Sequence, residues 1–114
     1  MKIDQLINLL KKRNYEFEFH NHEPLFTVED SRNLRGKIEG CHSKNLFLKN
    51  KKNNFFLVSC EEKSNIDLKK LSKLFGGGNL SFAKKEYMEE LIGVSPGSVS
   101  PFALLNDKDK KIGF

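Results

Sequence analysis

The 114 residues predict an α+β domain built around a mainly antiparallel sheet. Two apolar, strand-like runs, His42–Leu48 and Phe55–Cys60, flank the polar connector 49–54, which suits a hairpin turn. Apolar residues at helical spacing recur near the N-terminus, after Asp67 and after Lys84, and a glycine follows the last two sets. Short strand-like runs are interspersed with these helices, so the order is mixed.

Taken from the start, Ile3, Leu6, Ile7 and Leu10 fall at i, i+3, i+4 and i+7, which predicts an amphipathic helix from about Asp4 to Arg13. Lys11, Lys12 and Arg13 place cations at its C-terminal end, where the helix dipole favours them. Tyr15, Phe17 and Phe19 then alternate with Glu16, Glu18 and His20, the pattern of a half-buried strand, which His22-Glu23-Pro24 breaks. Thr27 and Asp30 have capping-box spacing, so a short helix should begin there and stop at Gly36.

After the central hairpin, Asp67 is a good N-cap for a helix over Leu68–Phe75, with Leu68, Leu71 and Phe75 on one face and Gly76 as its stop. Leu80–Ala83 is a short strand or connector. Lys84–Ile92 reads as a third main helix, with Tyr87, Met88 and Leu91 inward and Gly93 closing it. Two prolines stiffen the loop from Gly93 to Pro101. Phe102–Leu105 and Lys111–Phe114 are expected to pair as a final hairpin.

Length and composition predict one domain, residues 1–114, with a single modest core. No apolar run approaches the roughly 20 residues of a membrane span, and the polar N-terminus lacks a signal-peptide core, so a cytoplasmic protein with no membrane partner is expected. Cys41 and Cys60 fit neither a metal spacing nor a disulfide framework and read as buried thiols. The net charge of +5 favours an anionic partner, with nucleic acid the leading class. A lysine-rich solubilising surface explains that charge equally well. Lysine outnumbers arginine, so a nucleic-acid contact would touch mostly phosphates.

Chemistry has few candidate carriers. Gly93-Val-Ser-Pro-Gly97 has the Gly-x-Ser-x-Gly spacing but follows a predicted helix and not a strand, so it makes no nucleophile elbow, and Cys41 beside His42 would point to the opposite side of a strand. Gly76-Gly77-Gly78 lacks the Lys-Ser/Thr ending of a phosphate loop and follows a helix instead of preceding one, so no nucleotide cofactor is expected. His20, His22 and His42 read as surface or core histidines, not metal ligands. Lys44 is different, because it lies in a largely apolar hairpin beside Asn45 and would share a face with His42 and Leu46. There it could hold a phosphate or a developing oxyanion, although a solvated surface lysine is an equal alternative. The loop Gly97-Ser-Val-Ser-Pro101 is either a tight connector or a nest of N–H donors from Gly97, Ser98, Val99 and Ser100. Lys44 and this loop are expected to form two walls of one pocket.

Four stretches occur in order: His22-Glu-Pro-Leu-Phe-Thr-Val-Glu29, Gly40-Cys-His-Ser-Lys-Asn-Leu-Phe-Leu48, Gly76-Gly-Gly-Asn-Leu-Ser-Phe-Ala83 and Gly93-Val-Ser-Pro-Gly-Ser-Val-Ser-Pro-Phe102. Together they closely resemble the YbaK/ProX family of aminoacyl-tRNA deacylases, relatives of the prolyl-tRNA synthetase editing domain. The resemblance implies a barrel-like mixed sheet flanked by short helices. It also implies hydrolysis, in trans, of the ester of mischarged tRNA(Pro). The Lys-Asn-Leu-Phe-Leu form looks closer to the alanyl-tRNA(Pro) branch than to the cysteinyl branch.

On this resemblance Lys44, Gly97, Ser98 and Val99 are the catalytic candidates, and Phe26, His42, Asn45, Ser100 and Pro101 contact substrate. Lys44 would hold the terminal adenosine's phosphate or orient the substrate, while the loop amides bind the carbonyl end and help place water. Water and the tRNA's own ribose hydroxyl would replace a protein nucleophile, with no cofactor or metal. The implied partners are the tRNA acceptor end and either prolyl-tRNA synthetase or an elongation factor. Relatives continue through a final strand, an Asn-x-His-Pro-like segment and a closing helix, so the chain is expected to lack the family's C-terminal segment. Acceptor-end binding without catalysis and a truncated interaction domain are the alternative functions.

Overall fold

A computed structural model describes residues 3–21, 32–34 and 36–114. Two compact units divide the chain, residues 2–42 and residues 43–114.

The first unit opens with α1, Ile3–Lys12, whose Leu6, Ile7, Leu9 and Leu10 are half-buried. Its end is a left-handed cap that the lysine run concealed. Asn14 takes φ 60°, Asn14 N–H donates to Lys11 O, and Tyr15 N–H donates to Leu10 O, both at 3.1 Å. The strand predicted over Tyr15–Phe19 does not form. Residues 15–21 belong to no sheet, and Tyr15, Phe17 and Phe19 stay exposed. Alternation alone does not make a strand without a neighbouring strand to complete the backbone ladder. The predicted capping pair Thr27 and Asp30 lies outside the described residues. Gly36 is helical, so the stop falls past it, where Lys37 N–H donates to Leu34 O.

The second unit is built on the predicted hairpin. Strand β1, Ser43–Lys49, pairs antiparallel with β2, Phe55–Glu61, in a register running from Ser43↔Glu61 to Lys49↔Phe55. Asn50 governs the turn. Its buried side-chain oxygen accepts from Lys52 N–H (3.0 Å) and Asn54 N–H (2.9 Å), and Asn53 takes φ 59° to close the loop.

Helix α2, Leu68–Phe75, starts where Asp67 predicts, with that carboxylate accepting from Lys69 and Lys70 N–H. It ends at Gly76, φ 73°. Phe75 stacks on Phe56 of β2, ring centroids 4.6 Å apart. Strand β3, Ser81–Phe82, pairs antiparallel with Leu48 and Lys49 on the other side of β1. Helix α3, Lys85–Ile92, closes on Gly93 in the left-handed region, φ 66°. Its Tyr87, Met88 and Leu91 pack against a core of Phe47, Leu57, Ala83, Ile92 and Ala103.

The final hairpin is a correction. Pro101–Asn106 is a 3-10 helix, preceded by a shorter one at Pro96–Ser98. Pro101 brings a fixed φ and no N–H for a ladder, whereas a helical first turn needs neither. Asn106 Nδ2 donates to Ile92 O at 2.8 Å, tying the end of this helix to the end of α3. The Asp107 carboxylate accepts from the backbone of Lys111 and Ile112, which turns the chain into β4, Ile112–Gly113. That strand pairs with Phe55–Phe56 of β2, and it does so in parallel. The sheet order is therefore β3-β1-β2-β4, mixed and open, and these four strands close no barrel.

Candidate functional site

Strand β1 is central at its C-terminal half and half-covered at its N-terminal half, and Lys44 and Asn45 lie in the second region. Being consecutive, they point to opposite faces. Lys44, half-buried and paired with Cys60, donates from Nζ to the carbonyl of Ser64 in the β2–α2 connector. Asn45 lies opposite Ser59, whose hydroxyl donates to Asn45 Oδ1. That face also carries Phe47 and Leu57, two of the core residues.

The segment Gly97–Pro101 joins the same side through Val99, which packs against the core. Ser98 N–H is already used, donating to Ser95 O just before the segment at 2.9 Å. Ser100 is half-buried, whereas Gly97, Ser98 and Pro101 are exposed. Gly97 has space around it: a Cβ there would meet nothing within 4 Å, and its φ is not positive. The structure thus brings Asn45 and Val99 to one side of the sheet. Lys44 is directed to the other face, with its amine on Ser64 and not on the loop.

His42 belongs to the first unit, where its Nε2 lies 3.0 Å from Ile38 O. Phe26 lies outside the described residues. Cys41 is exposed and Cys60 half-buried, and both are free, so the expectation of buried thiols fails for Cys41. Among the described residues, no group of three or more His, Cys, Asp and Glu could hold a metal ion. Nor is any described helix long and apolar enough to cross a membrane.

Two contributors escaped sequence reasoning. Ser59 was readable in principle, because a turn symmetric about Lys52 sets Asn45 against Ser59. The Ser64 carbonyl that receives Lys44 leaves no mark in the sequence, since any residue supplies one.

The crystal structure of hypothetical protein APE2540 matches this chain with a TM-score of 0.71 at 21% identity, covering 95% of this chain and 69% of that one. That likeness establishes the α+β fold. The family follows from sequence: the chain belongs to the family described as the aminoacyl-tRNA editing domain, which matches residues 22–112. It is 32% identical to the prolyl-tRNA editing protein ProX of Acetoanaerobium sticklandii over 112 residues, 97% of this chain and 64% of that protein. Prolyl-tRNA synthetase associated domain-containing protein 1 of Danio rerio is 34% identical over 108 residues, 95% of this chain and 59% of that one. A putative human protein of the same name is 41% identical over 93 residues, 79% of this chain and 55% of its own length. The chain spans between 55% and 64% of the length of these three relatives.

Proposed function

We propose that this chain is a trans-acting deacylase that hydrolyses the ester of mischarged tRNA(Pro), with alanine as the amino acid removed. The observation that carries the reading is the editing-domain match over residues 22–112, which includes Lys44, Asn45 and the whole of Gly97–Pro101. A relative named as a prolyl-tRNA editing protein supports the choice of tRNA.

Lys44 lies on the sheet face away from the loop, so in this mechanism it takes no part at the ester carbonyl and exchanges its bond to the Ser64 carbonyl for a phosphate oxygen of the tRNA. A half-buried ammonium already held by a neutral acceptor has little desolvation left to lose in that exchange. Asn45, fixed by Ser59, orients the aminoacyl end. The backbone amides of Gly97 and Val99 polarise the ester carbonyl as water attacks it, Ser98 N–H being held by Ser95 O, while Ser100 and Pro101 shape the pocket. The ester C–O bond breaks, the amino acid leaves as the free acid, and the ribose oxygen takes the proton. No protein nucleophile takes part.

Selectivity rests on size. A pocket fitted to alanine excludes the bulkier proline sterically, and excluding a larger group is easier than rejecting a smaller one. Residues 1–114 act as one deacylase-like domain in the cytoplasm, with the tRNA acceptor end as partner. Prolyl-tRNA synthetase or an elongation factor is the protein partner.

Comparing hydrolysis of Ala-, Cys- and Pro-tRNA(Pro) tests the substrate choice. Loss of the alanyl ester alone is expected. Faster loss of the cysteinyl ester would reassign the amino acid, and loss of the prolyl ester would refute size exclusion.

A further inference from the structure

The net charge of +5 is not spread along the chain. Segments 43–60 and 68–85 hold nine lysines and no acidic residue, leaving eleven basic against fifteen acidic residues elsewhere, a net −4. All the excess positive charge therefore resides in the β1–β2 hairpin and in the stretch from α2 to the first residue of α3.

The fold joins these segments at one end. Asn50 Nδ2 lies 3.5 Å from Gly76 O, just past the end of α2. Gly77 sits so close that a Cβ on it would be 2.3 Å from Asn50 Nδ2. The aliphatic stem of Lys51 lies along Gly78, where a Cβ would meet its Cδ at 3.4 Å. Three successive positive φ values, 73°, 82° and 92°, produce this approach and explain the glycine triplet without a phosphate loop. Of the acids flanking these segments, Glu61 pairs with Ser43 at the far end of the hairpin, Asp67 caps the start of α2, and Glu86 lies in the first turn of α3.

Lys51 and Lys52 are exposed, and neither has a carboxylate within ion-pair distance among the described residues. The turn bearing them is fixed by a buried asparagine. A cation on a fixed support loses less conformational freedom on binding than one on a mobile loop.

We propose that the turn Asn50–Asn54, docked on Gly76–Gly78, is a second contact surface of this protein, gripping the phosphodiester backbone of its RNA through Lys51 and Lys52. The identity of the RNA rests on the editing function proposed above; the polyanion surface does not. Contacts of this kind position a nucleic acid without reading bases, and they carry a characteristic salt dependence.

The test is binding of uncharged tRNA(Pro) transcript, followed by fluorescence anisotropy over a salt series. The protein is compared with Lys51→Ala/Lys52→Ala and with Lys108→Ala/Lys111→Ala, which removes the same charge from a segment containing Asp107 and Asp109. All four lysines are exposed, so neither variant threatens the fold. Two lost phosphate contacts should reduce the steepness of log K against log salt by about 1.4 to 1.8 in the first variant. The second should match the wild type. Equal slopes in both variants, or no salt-dependent binding by the wild type, would overturn the surface. Hydrolysis of Ala-tRNA(Pro) by the same wild-type preparation separates the two readings. An inactive protein with a lysine-dependent slope loses the editing function and supports the surface, whereas an active protein with an indifferent slope does the reverse.

Discussion

Replacing Gly97 with alanine separates a structural glycine from one that a substrate approaches. A Cβ at this position meets nothing within 4 Å, and the residue lies in a 3-10 turn with no positive φ. The fold therefore has no need of glycine here. By restricting the unfolded chain, alanine should raise stability by about 0.4–1 kcal/mol, seen as a higher denaturant midpoint. Function should respond in the opposite direction. If the ester carbonyl lies against the Gly97–Val99 amides, the methyl group occupies its approach. Losing one such donor costs about 10²–10³ in rate, so even partial displacement should lower kcat/KM for Ala-tRNA(Pro) at least tenfold, about 1.4 kcal/mol. Denaturation and single-turnover deacylation on one preparation read both effects. Unchanged kcat/KM in a fully folded variant would refute the placement of substrate against this backbone, and a lowered midpoint would refute the structural premise.

Lys44→Ala should abolish most deacylation while leaving the fold intact, since it removes a single bond to Ser64 worth about 0.5–1.5 kcal/mol; near-normal turnover would make Lys44 a surface lysine. Asn50→Ala removes the buried side-chain oxygen that holds two backbone N–H groups of the turn and should destabilise by about 1–3 kcal/mol, measured by denaturant unfolding. An unchanged midpoint would show that water replaces the Asn50 oxygen. Deacylation should be indifferent to EDTA, and strong inhibition would return the histidines to consideration as metal ligands.

What the sequence made legible follows from how local each signal is. The Asp67 cap, the Gly76 and Gly93 stops and the hairpin between Lys49 and Phe55 are decided within a few residues, and each stands where it was read. The errors arose where a partner outside the segment decides. Tyr15–Phe19 has strand periodicity but no ladder, and Phe102–Leu105 looks like a strand until Pro101 and the Asn106–Ile92 bond commit it to a helical turn. Parallel pairing of Ile112–Gly113 with β2 depends on where the whole preceding chain has been carried. For the site, alternation already set Lys44 and Asn45 on opposite faces. Grouping Lys44 with the Gly97–Pro101 loop ignored that Val99 packs on the core side, the side of Asn45. The docking of Asn50 on the glycine triplet was invisible because those residues lie 26 positions apart.

The most direct test of the editing account is release of labelled alanine from Ala-tRNA(Pro) by this 114-residue chain, measured against spontaneous hydrolysis. The account predicts rapid loss of the alanyl ester with Pro-tRNA(Pro) left intact. Hydrolysis no faster than the protein-free rate, from a sample whose circular dichroism and cooperative unfolding show it folded, would contradict it.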